Sequence, residues 1–489
     1  LPNFHFQSSS HPLKRHKRFA THPPLSGWTV QRLVSLLIAI LVVISPAAKA
    51  TEALLSAAHA GDTAQVRALL DAGHDPNGIL RRTYSPLMFA AGNGHVEMTR
   101  LLLARSATVD HRDHNGDRAL LWAAWRGHAE TVRLLLAAGA VVQSDDDPYR
   151  MTPLMRAAGY AHVAVVRILL AAGADPRRRD HTGDTALHGA AISGNGETIA
   201  TLLAAGADPG AVGSLRITPL HHAAYFSRLD AVRLLASAGA DLNARDHQGR
   251  TPLWAAVSCG HAAVVEALLA AGADHDARDG KDVSPFLAAL ARDASVAWLF
   301  VELTRDIDRG FAAAVWNGHA DLALRLVERG ADVNALDQHG RPAVAGAARH
   351  PGTSMLAWFM ANGVDLGRHG AAALHQAASS GRADLVGRLL DSNVPVDARD
   401  TAGATALLHG VGAGQLDVVR LLLARGAERN PSDRERRGVD AYMAMAVEPI
   451  AALIARREMS RAYKPTGPLR KQLSDLIAQH AAIQELLAQ

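Results

Sequence analysis

The chain of 489 residues carries several kinds of side chain that could support chemistry. Its 25 histidines could bind a metal ion, since imidazole nitrogen is a common zinc ligand. Three consecutive aspartates at 145–147 could bind calcium, and Cys259 could be a redox-sensitive thiol. Glycine-rich segments at 194–196 and 410–414 resemble loops that hold phosphate groups.

The surrounding sequence argues against this chemistry. No 12-residue ligand loop with a closing glutamate follows residues 145–147, which indicates a solvated turn. Phosphate loops lie between a strand and a helix, a context that both glycine segments lack. A single cysteine excludes an internal disulfide, and Cys259 is interpreted as a small packing residue. No Ser-His-Asp or Cys-His set can be assembled, so we expect no catalytic residues, cofactor or metal ion.

A short sequence motif recurs along the chain and shows which elements must position these residues; we call it the phrase. It returns at spacings of 33, 34, 33, 33, 33 and 33 residues, starting at Ser85, Arg118, Thr152, Thr185, Thr218, Thr251 and Ser284. Serine or threonine followed by proline favours the start of a helix, and a glycine nine residues after most of these starts favours its end. Apolar residues at helical spacing then predict a second helix, as at Val264, Val265 and Leu268.

The period and the Thr-Pro-Leu-His phrase at Thr218 make the sequence resemble the ankyrin-repeat family. The resemblance covers residues 51–459 and implies an all-α ankyrin solenoid of about 12 helix-turn-helix units with hairpin loops, plus a short C-terminal helix. The first unit is divergent, and the later ones begin near Arg309, Pro342, Ala372, Thr405 and, frayed, Asp440. One unit cannot bury its own apolar faces, so the units must stack.

Two places depart from the repeat. Unit eight is eight residues short, because Gly260 and Gly318 are 58 residues apart where two periods give 66. We therefore expect an irregular and weak layer at 285–308. Residues 460–489 comprise a linker and an amphipathic helix, with apolar residues at helical spacing from Leu469 to Leu487. This helix is predicted to cover the last apolar face, or alternatively to form a dimer of an otherwise monomeric protein through residues 469–487.

The resemblance assigns structural roles to most histidines. In the fourth place of the phrase, the family's imidazole bonds neighbouring backbone and hydroxyl groups; these positions are His188, His221 and His375. A second set begins the second helix of each unit: His95, His128, His162, His261 and His319. Those on hairpin tips are about one repeat apart, too far to share a zinc ion: His114, His181, His247 and His339.

The resemblance also implies that partners bind at the hairpin tips and the inner face of the first helices. Aromatic residues and arginine dominate the hot spots of protein interfaces. We therefore predict a partner-binding site at Tyr84, Trp125, Arg126, Tyr149, Tyr160, Tyr225, Phe226 and Trp316, with a continuous aromatic stripe through units two to six. The alternative is that these side chains pack on their neighbours and shield the groove.

The first 50 residues predict export. A basic stretch, an apolar run at 33–44 and a small-residue end resemble a secretory signal cleaved after Ala50. An uncleaved membrane anchor is the alternative, and either topology places the repeats outside the cytoplasm. A start at Val30 would leave a signal of 21 residues and make the preceding residues a spurious extension.

Charge and composition narrow the function further. The formal net charge of +4 comes from residues 1–50, because residues 51–489 hold 45 Lys and Arg against 47 Asp and Glu, which argues against nucleic-acid binding. The excess of 45 Arg over 6 Lys favours a bacterial origin. We therefore predict a periplasmic or secreted, non-enzymatic scaffold that binds a protein through its concave groove. Two alternatives remain: an enzyme or small-ligand module with its site in the groove, and a cytoplasmic scaffold.

Overall fold

The computed structural model describes residues 46–79, 84–143, 149–350, 354–459 and 467–488. Most of the predicted export signal, the aspartates at 145–147 and most of the predicted linker lie outside these residues. Within them the chain forms α-helices in antiparallel pairs and no β-strand, so the predicted all-α solenoid is confirmed. None of the described helices is both long and apolar enough to cross a membrane.

Each unit contributes an inner and an outer helix. The inner helices are α1 (Pro46–Ala60), α3 (Pro86–Gly92), α5 (Ala119–Arg126), α7 (Pro153–Gly159), α9 (Ala186–Ser193), α11 (Pro219–Tyr225), α13 (Pro252–Cys259), α15 (Pro285–Leu290), α17 (Ile307–Trp316), α19 (Ala343–Arg349), α21 (Leu366–Ser379), α23 (Ala406–Gly412) and α25 (Val439–Met459). The outer helices are α2 (Thr63–Asp71), α4 (Val96–Ala104), α6 (Ala129–Ala137), α8 (Val163–Ala171), α10 (Gly196–Ala204), α12 (Leu229–Ser237), α14 (Ala262–Ala270), α16 (Ala294–Trp298), α18 (Ala320–Glu328), α20 (Ser354–Ala361), α22 (Ala383–Asp391), α24 (Leu416–Ala424) and α26 (Gly467–Ala488).

The ends of the inner helices follow from the residues predicted to form them. The hydroxyl of Thr152 accepts a hydrogen bond from the amide of Met155, which satisfies one free donor of the first turn of α7. Gly127 ends α5 with a φ of 80°, a left-handed conformation that glycine adopts without strain. It also lies against the ring of His162, which leaves no room for a side chain.

An aspartate organises many of the hairpins between units. One oxygen of Asp246 accepts the amides of Gln248 and Arg250 at 2.8 and 2.9 Å, and the other is paired with the Arg250 guanidinium at 2.7 Å. The same one-oxygen turn recurs at Asp113, Asp180, Asp279, Asp337, Asp400 and Asp433. These turns fix the hairpins relative to the helices that they join.

The core is one continuous layer between inner and outer helices. Each inner helix packs against the next inner helix, and most outer helices pack against the next outer helix in the same way. Small residues dominate the inner contacts, as Ala123 and Ala157 illustrate, and leucines such as Leu135 and Leu169 fill the space toward the outer helices. A chain with few aromatics can therefore bury an extended core because each layer is thin.

Unit eight has an irregular structure. Its outer helix α16 has five residues, whereas α14 and α18 on either side have nine. Phe286, Phe300 and Phe311 are fully buried here and occupy space that smaller residues fill elsewhere. Buried Asp306 accepts hydrogen bonds from Ser284 at 3.0 Å and forms an ion pair with Arg278 at 3.1 Å. Large rings and a buried carboxylate thus replace the missing helical turns.

The chain ends in a thirteenth pair, α25 and α26. Helix α26 begins at Gly467, two residues before the predicted apolar stripe, and packs against α24 and α25. Ile483 is fully buried, and Leu476 lies so close to Gly414 that an added Cβ would be 2.8 Å from its Cδ1. Helix α26 therefore covers the apolar face of unit twelve, in agreement with the capping interpretation. Dimerisation through residues 469–487 stays a prediction.

Candidate partner-binding groove

Two places of each inner helix line the groove. When the first residue of the recurring phrase is counted as place one, the eighth place of one unit faces the fifth place of the next. A Cβ added to Gly92 would lie 3.1 Å from the ring of Trp122, and the guanidinium of Arg156 lies 5.5 Å from the ring centre of Trp125. Fifth and eighth places lie on one helical face because they are three residues apart.

An aromatic cluster occupies the groove of units two to four. We call it the aromatic belt and define it as Tyr84, Phe89, Trp122, Trp125 and Tyr160. Successive ring centres lie 5.6, 5.5, 5.9 and 6.1 Å apart in the order Phe89, Tyr84, Trp122, Trp125, Tyr160. Most of these contacts are edge-to-face, the arrangement that the ring quadrupole favours. Tyr160 is 55% exposed and the other four rings are half-buried, so the belt presents ring surface to solvent.

Two arginines lie on the belt, and each is close to the ring of Trp125. The guanidinium of Arg126 is 5.3 Å from the ring centre of Trp125, and that of Arg156 approaches the same ring. In the described part of the chain, no carboxylate pairs with either arginine, and Nε of Arg156 is buried without a hydrogen bond. The indole N–H of Trp122 likewise has no acceptor among the described residues. Buried donors without acceptors are costly, and a bound partner could supply the missing oxygens.

The predicted aromatic stripe is interrupted at unit five. Gly189, Ile192 and Ser193 occupy its fifth, eighth and ninth places, and a Cβ at Gly189 would lie 3.1 Å from the Cα of Gly159. A second ring group follows in unit six, where Tyr225 and Phe226 have ring centres 5.1 Å apart. The prediction of a continuous stripe from Trp125 to Phe226 is therefore wrong, because unit five brings backbone rather than rings to the groove.

Trp316 does not fit the predicted exposed surface. It is 7% exposed, its indole N–H donates to the carbonyl of Pro342 at 3.1 Å, and the guanidinium of Arg341 covers its ring at 4.1 Å. Gly346 is the reason: a Cβ there would be 3.0 Å from Trp316, so α19 packs closely against the ring. Trp316 is thus a core residue, and the packing alternative is correct for it.

Of the remaining predicted site residues, Tyr149 and Tyr225 are 50% and 53% exposed, Arg126 is exposed and Phe226 is half-buried. Tyr149 lies on a hairpin, with its ring centre 5.5 Å from that of His181. It is separate from the belt. Sequence reasoning missed Phe89 and Trp122, although both follow the start of the phrase by four residues and therefore lie on the same helical face as the predicted positions.

The structure supports the predicted roles of most histidines. Nδ1 of His188 and of His221 lies 3.0 and 2.9 Å from the hydroxyl of the preceding threonine, and Nε2 of each bonds a carbonyl of the next hairpin. His162 and His261 bond the carbonyl of the eighth residue of the preceding unit, both at 3.0 Å. Burial lowers the pKa of His188 and His221.

His375 is the exception among the histidines in the fourth place. Helix α21 runs continuously through the start of its phrase, where Ala372 replaces threonine, so no hydroxyl is available. A ligand atom of His375 lies within 4.8 Å of ligand atoms of Asp400 and His409. Sequence reasoning did not indicate this cluster. The feature that could have indicated it is a second histidine, His409, in the fifth place of unit twelve, close to the hairpin aspartate Asp400.

A hollow in the surface lies apart from the aromatic belt. A surface hollow of about 380 Å³ lies at the hairpins flanking unit six, lined by Asp241, Asn243, Arg216 and Arg245 among others. It lies outside the belt, and its lining also includes the apolar residues Pro209, Val212 and Ala244. Cys259 is half-buried, with its Sγ 3.8 Å from the hydroxyl of Ser258, which fits a packing role.

Stacked helix pairs, hairpins held by aspartate and an exposed inner groove define a repeat protein of the solenoid class. A family model described as ankyrin repeats (3 copies) matches residues 54–146, 140–213, 206–279, 311–400 and 344–433. The chain therefore belongs to the ankyrin-repeat family. The matches skip residues 280–310, where unit eight is shortened.

Three related proteins match parts of the chain. The mouse (Mus musculus) B-cell lymphoma 3 protein homolog is 36% identical over 118 residues, which are 22% of this chain and 26% of that protein. An ankyrin repeat domain-containing protein of Stachybotrys chartarum is 30% identical over 29% of this chain and 8% of its own length. A putative ankyrin repeat-containing protein of Treponema pallidum is 31% identical over 27% of this chain and 46% of its own length.

Each match thus spans less than half of the related protein. Among solved structures, the human ASB11 ankyrin repeat domain matches with a TM-score of 0.43 and 29% identity, covering 45% of this chain and 98% of that one.

Proposed function

We propose that the protein is a non-enzymatic scaffold that binds another protein through the aromatic belt. The observation that carries this proposal is a contiguous set of partly exposed rings, with two arginines unpaired in the described part of the chain, on a face that packing does not require. Aromatic residues and arginine are the side chains that contribute most to protein interfaces. Membership of the ankyrin-repeat family supports a protein-binding role in general.

The chemistry of the belt defines the kind of partner that fits it. Half-buried rings favour an apolar side chain from a helix or loop, because its burial removes ring surface from water. Arg126 and Arg156 favour an adjacent carboxylate, which would pair with guanidinium groups that already lie over Trp125. We therefore propose that the partner presents an apolar residue next to an acidic one.

We further propose that this binding takes place outside the cytoplasm, in the periplasm or after secretion. The support is the pattern of residues 1–50, a basic stretch followed by an apolar run and Ala48-Lys49-Ala50. Mass spectrometry of the protein from its native host should find Thr51 at the N-terminus. An N-terminus before the apolar run on a membrane fraction would indicate the anchor alternative, and recovery from the cytoplasm would contradict export.

A comparative capture experiment tests the binding site. Immobilised residues 51–489 and a Trp125→Ala variant are exposed to the same periplasmic or secreted extract, and proteins retained by the wild type but lost by the variant are identified. With an identified partner, Trp125→Ala should weaken binding by about thirtyfold, or about 2 kcal/mol, at unchanged thermal stability. Arg126→Glu should also reduce the affinity for an acidic partner, and this reduction should be larger at low salt than at high salt.

Two matched variants complete the experiment. Leu169→Ala removes a fully buried side chain from α8 and should cost about 2 to 5 kcal/mol of local stability, which shows what a folding defect does to capture. Phe226→Ala changes the second ring group and should weaken binding only if the partner extends across unit five. Unchanged binding by a folded Trp125→Ala, Tyr160→Ala double variant would refute the belt as the site.

A further inference from the structure

The cluster of His375, Asp400 and His409 differs from the other histidine sites of the solenoid. His188 and His221 use both ring nitrogens, one toward threonine and one toward a carbonyl. In His375, Nε2 donates to the carbonyl of Ala398 at 2.8 Å, and among the described residues no hydrogen bond reaches Nδ1. This imidazole therefore retains a lone pair that the protein does not use.

Asp400 and His409 bring two more ligand groups to the same place. One oxygen of Asp400 accepts the amides of Ala402 and Ala404, each at 2.8 Å, which fixes the carboxylate in its hairpin. The other oxygen lies 2.9 Å from Nε2 of His409. The rings of His375 and His409 are centred 5.0 Å apart, and each of the three residues offers a ligand atom within 4.8 Å of the others.

The protonation states suit a cation. Burial lowers the pKa of His375, against the effect of its hydrogen bond to Ala398, so its imidazole is neutral at pH 7. Burial acts against the charged form of Asp400, but hydrogen bonds from Ala404 and His409 hold the pKa of this carboxyl below its usual value. Imidazole nitrogens combined with one carboxylate are ligands that zinc and similar transition ions prefer, whereas calcium and magnesium require oxygen ligands.

The geometry permits closure around an ion. Zinc bound at about 2.0–2.1 Å holds tetrahedral ligand atoms roughly 3.3 Å apart, so ligand atoms that lie within 4.8 Å of one another need to approach by at most roughly 1.5 Å. The side chains of His409 and Asp400 are 29% and 25% exposed, which leaves them room to rotate and an ion a path from solvent. Solvent can then supply the fourth ligand. His375 is 6% exposed and forms the buried base of the cluster.

We propose that His375, Asp400 and His409 form a binding site for a divalent transition-metal ion of the zinc type. His375 lies in α21 of unit eleven, Asp400 lies in the hairpin that joins α22 to α23, and His409 lies in α23 of unit twelve. The ion would therefore connect unit eleven to unit twelve. Binding to the folded state alone stabilises it by a free energy that rises with the logarithm of the ion concentration relative to Kd. The site lies far along the solenoid from the aromatic belt, so this proposal does not depend on the proposed function.

Cobalt titration of the full chain at pH 7.5 tests the proposal, because cobalt replaces zinc and absorbs visible light. We expect a visible absorption band that saturates at one cobalt ion for this site and is displaced by zinc chloride. His409→Gln and Asp400→Asn should each weaken the band's apparent affinity by at least about tenfold. The asparagine keeps the oxygen that holds the hairpin, so this variant separates ion binding from folding.

His222→Gln is the matched control. His222 also occupies a fifth place, with its ring 6.0 Å from that of His188 in the fourth place of the preceding unit, but among the described residues it is not part of a group of three ligands. Cobalt affinity should be unchanged in this variant. Hydrogen exchange adds a second readout: zinc should slow exchange in α21 and α23 and leave α9 and α11 unchanged. The proposal is wrong if no band forms, or if the band survives in folded His409→Gln and Asp400→Asn variants.

Discussion

His222 should make the middle of the solenoid sensitive to mild acid. Its ring is partly buried between His188 and Phe226, with ring centres 6.0 and 6.2 Å away. Burial, followed by the proximity of His188 and His221, lowers the pKa of His222 to about 4. No hydrogen bond to this ring is present in the described part of the chain to oppose the effect of burial. The folded state therefore favours the neutral imidazole.

The size of the effect follows from linkage between protonation and folding. An unfolded histidine has a pKa of about 6.5. As the pH falls below that value, His222 becomes protonated in the unfolded chain but stays neutral in the folded chain. The contribution of His222 to the free energy of unfolding is therefore fully present above pH 6.5, and it is lost progressively as the pH falls to the folded-state pKa of about 4. At pH 5 the loss attributable to His222 is roughly 2 kcal/mol relative to neutral pH.

Hydrogen exchange of α9 and α11 at pH 7.5 and pH 5.0, corrected for the intrinsic pH dependence of exchange, measures this loss locally. His222→Gln cannot titrate, so its opening free energy should change by roughly 2 kcal/mol less than that of the wild type between the two conditions. His247→Gln, on an exposed hairpin, is the control and should behave as the wild type does. An equal loss in the wild type and in His222→Gln would refute the reasoning.

Three further predictions concern packing. Gly310→Ala should destabilise the solenoid by about 1 to 3 kcal/mol in thermal unfolding, because the added Cβ would lie 2.4 Å from the buried ring of Phe286; an unchanged melting temperature would contradict this. Residues 293–308 should be among the segments least protected from hydrogen exchange, because α16 has only five residues. Uniform protection across units seven to nine would contradict this and would show that the buried rings compensate for the short helix. Ile483→Asp should expose α24 to proteolysis at an unchanged oligomeric state; a change in molecular mass by light scattering would instead support the dimer alternative.

The sequence predicted local features well because their causes are local. Thr218 and Pro219 begin α11 where the phrase begins, and Gly127 ends α5 where a glycine was predicted to end it. Both effects depend on residues within one turn of the helix. The spacing of these signals was sufficient to predict the stacking order, since each unit can bury its faces only against its neighbours.

The exposure of groove residues could not be predicted in the same way. Trp125 and Trp316 occupy the same place in their units, yet the first lies in the groove and the second is buried. The difference is set by the fifth place of the next unit, which is Arg156 in one case and Gly346 in the other. The contact of His409 with Asp400 likewise depends on the residue in the fifth place of unit twelve, which is a histidine. Such outcomes depend on residues that the repeat pattern leaves free to vary.

The histidines that begin the outer helices give the solenoid a direction. His128, His261 and His319 each bond a carbonyl at the end of the inner helix of the preceding unit, at 3.2, 3.0 and 3.0 Å. A truncation from the C-terminal side leaves only a bare carbonyl, which water can satisfy. A truncation from the N-terminal side instead uncovers an imidazole whose Nε2 has lost its carbonyl partner. The two ends of a shortened solenoid therefore differ in chemistry: removing units from the C-terminal end leaves hydrogen-bond acceptors at the cut, whereas removing units from the N-terminal end leaves histidine rings there.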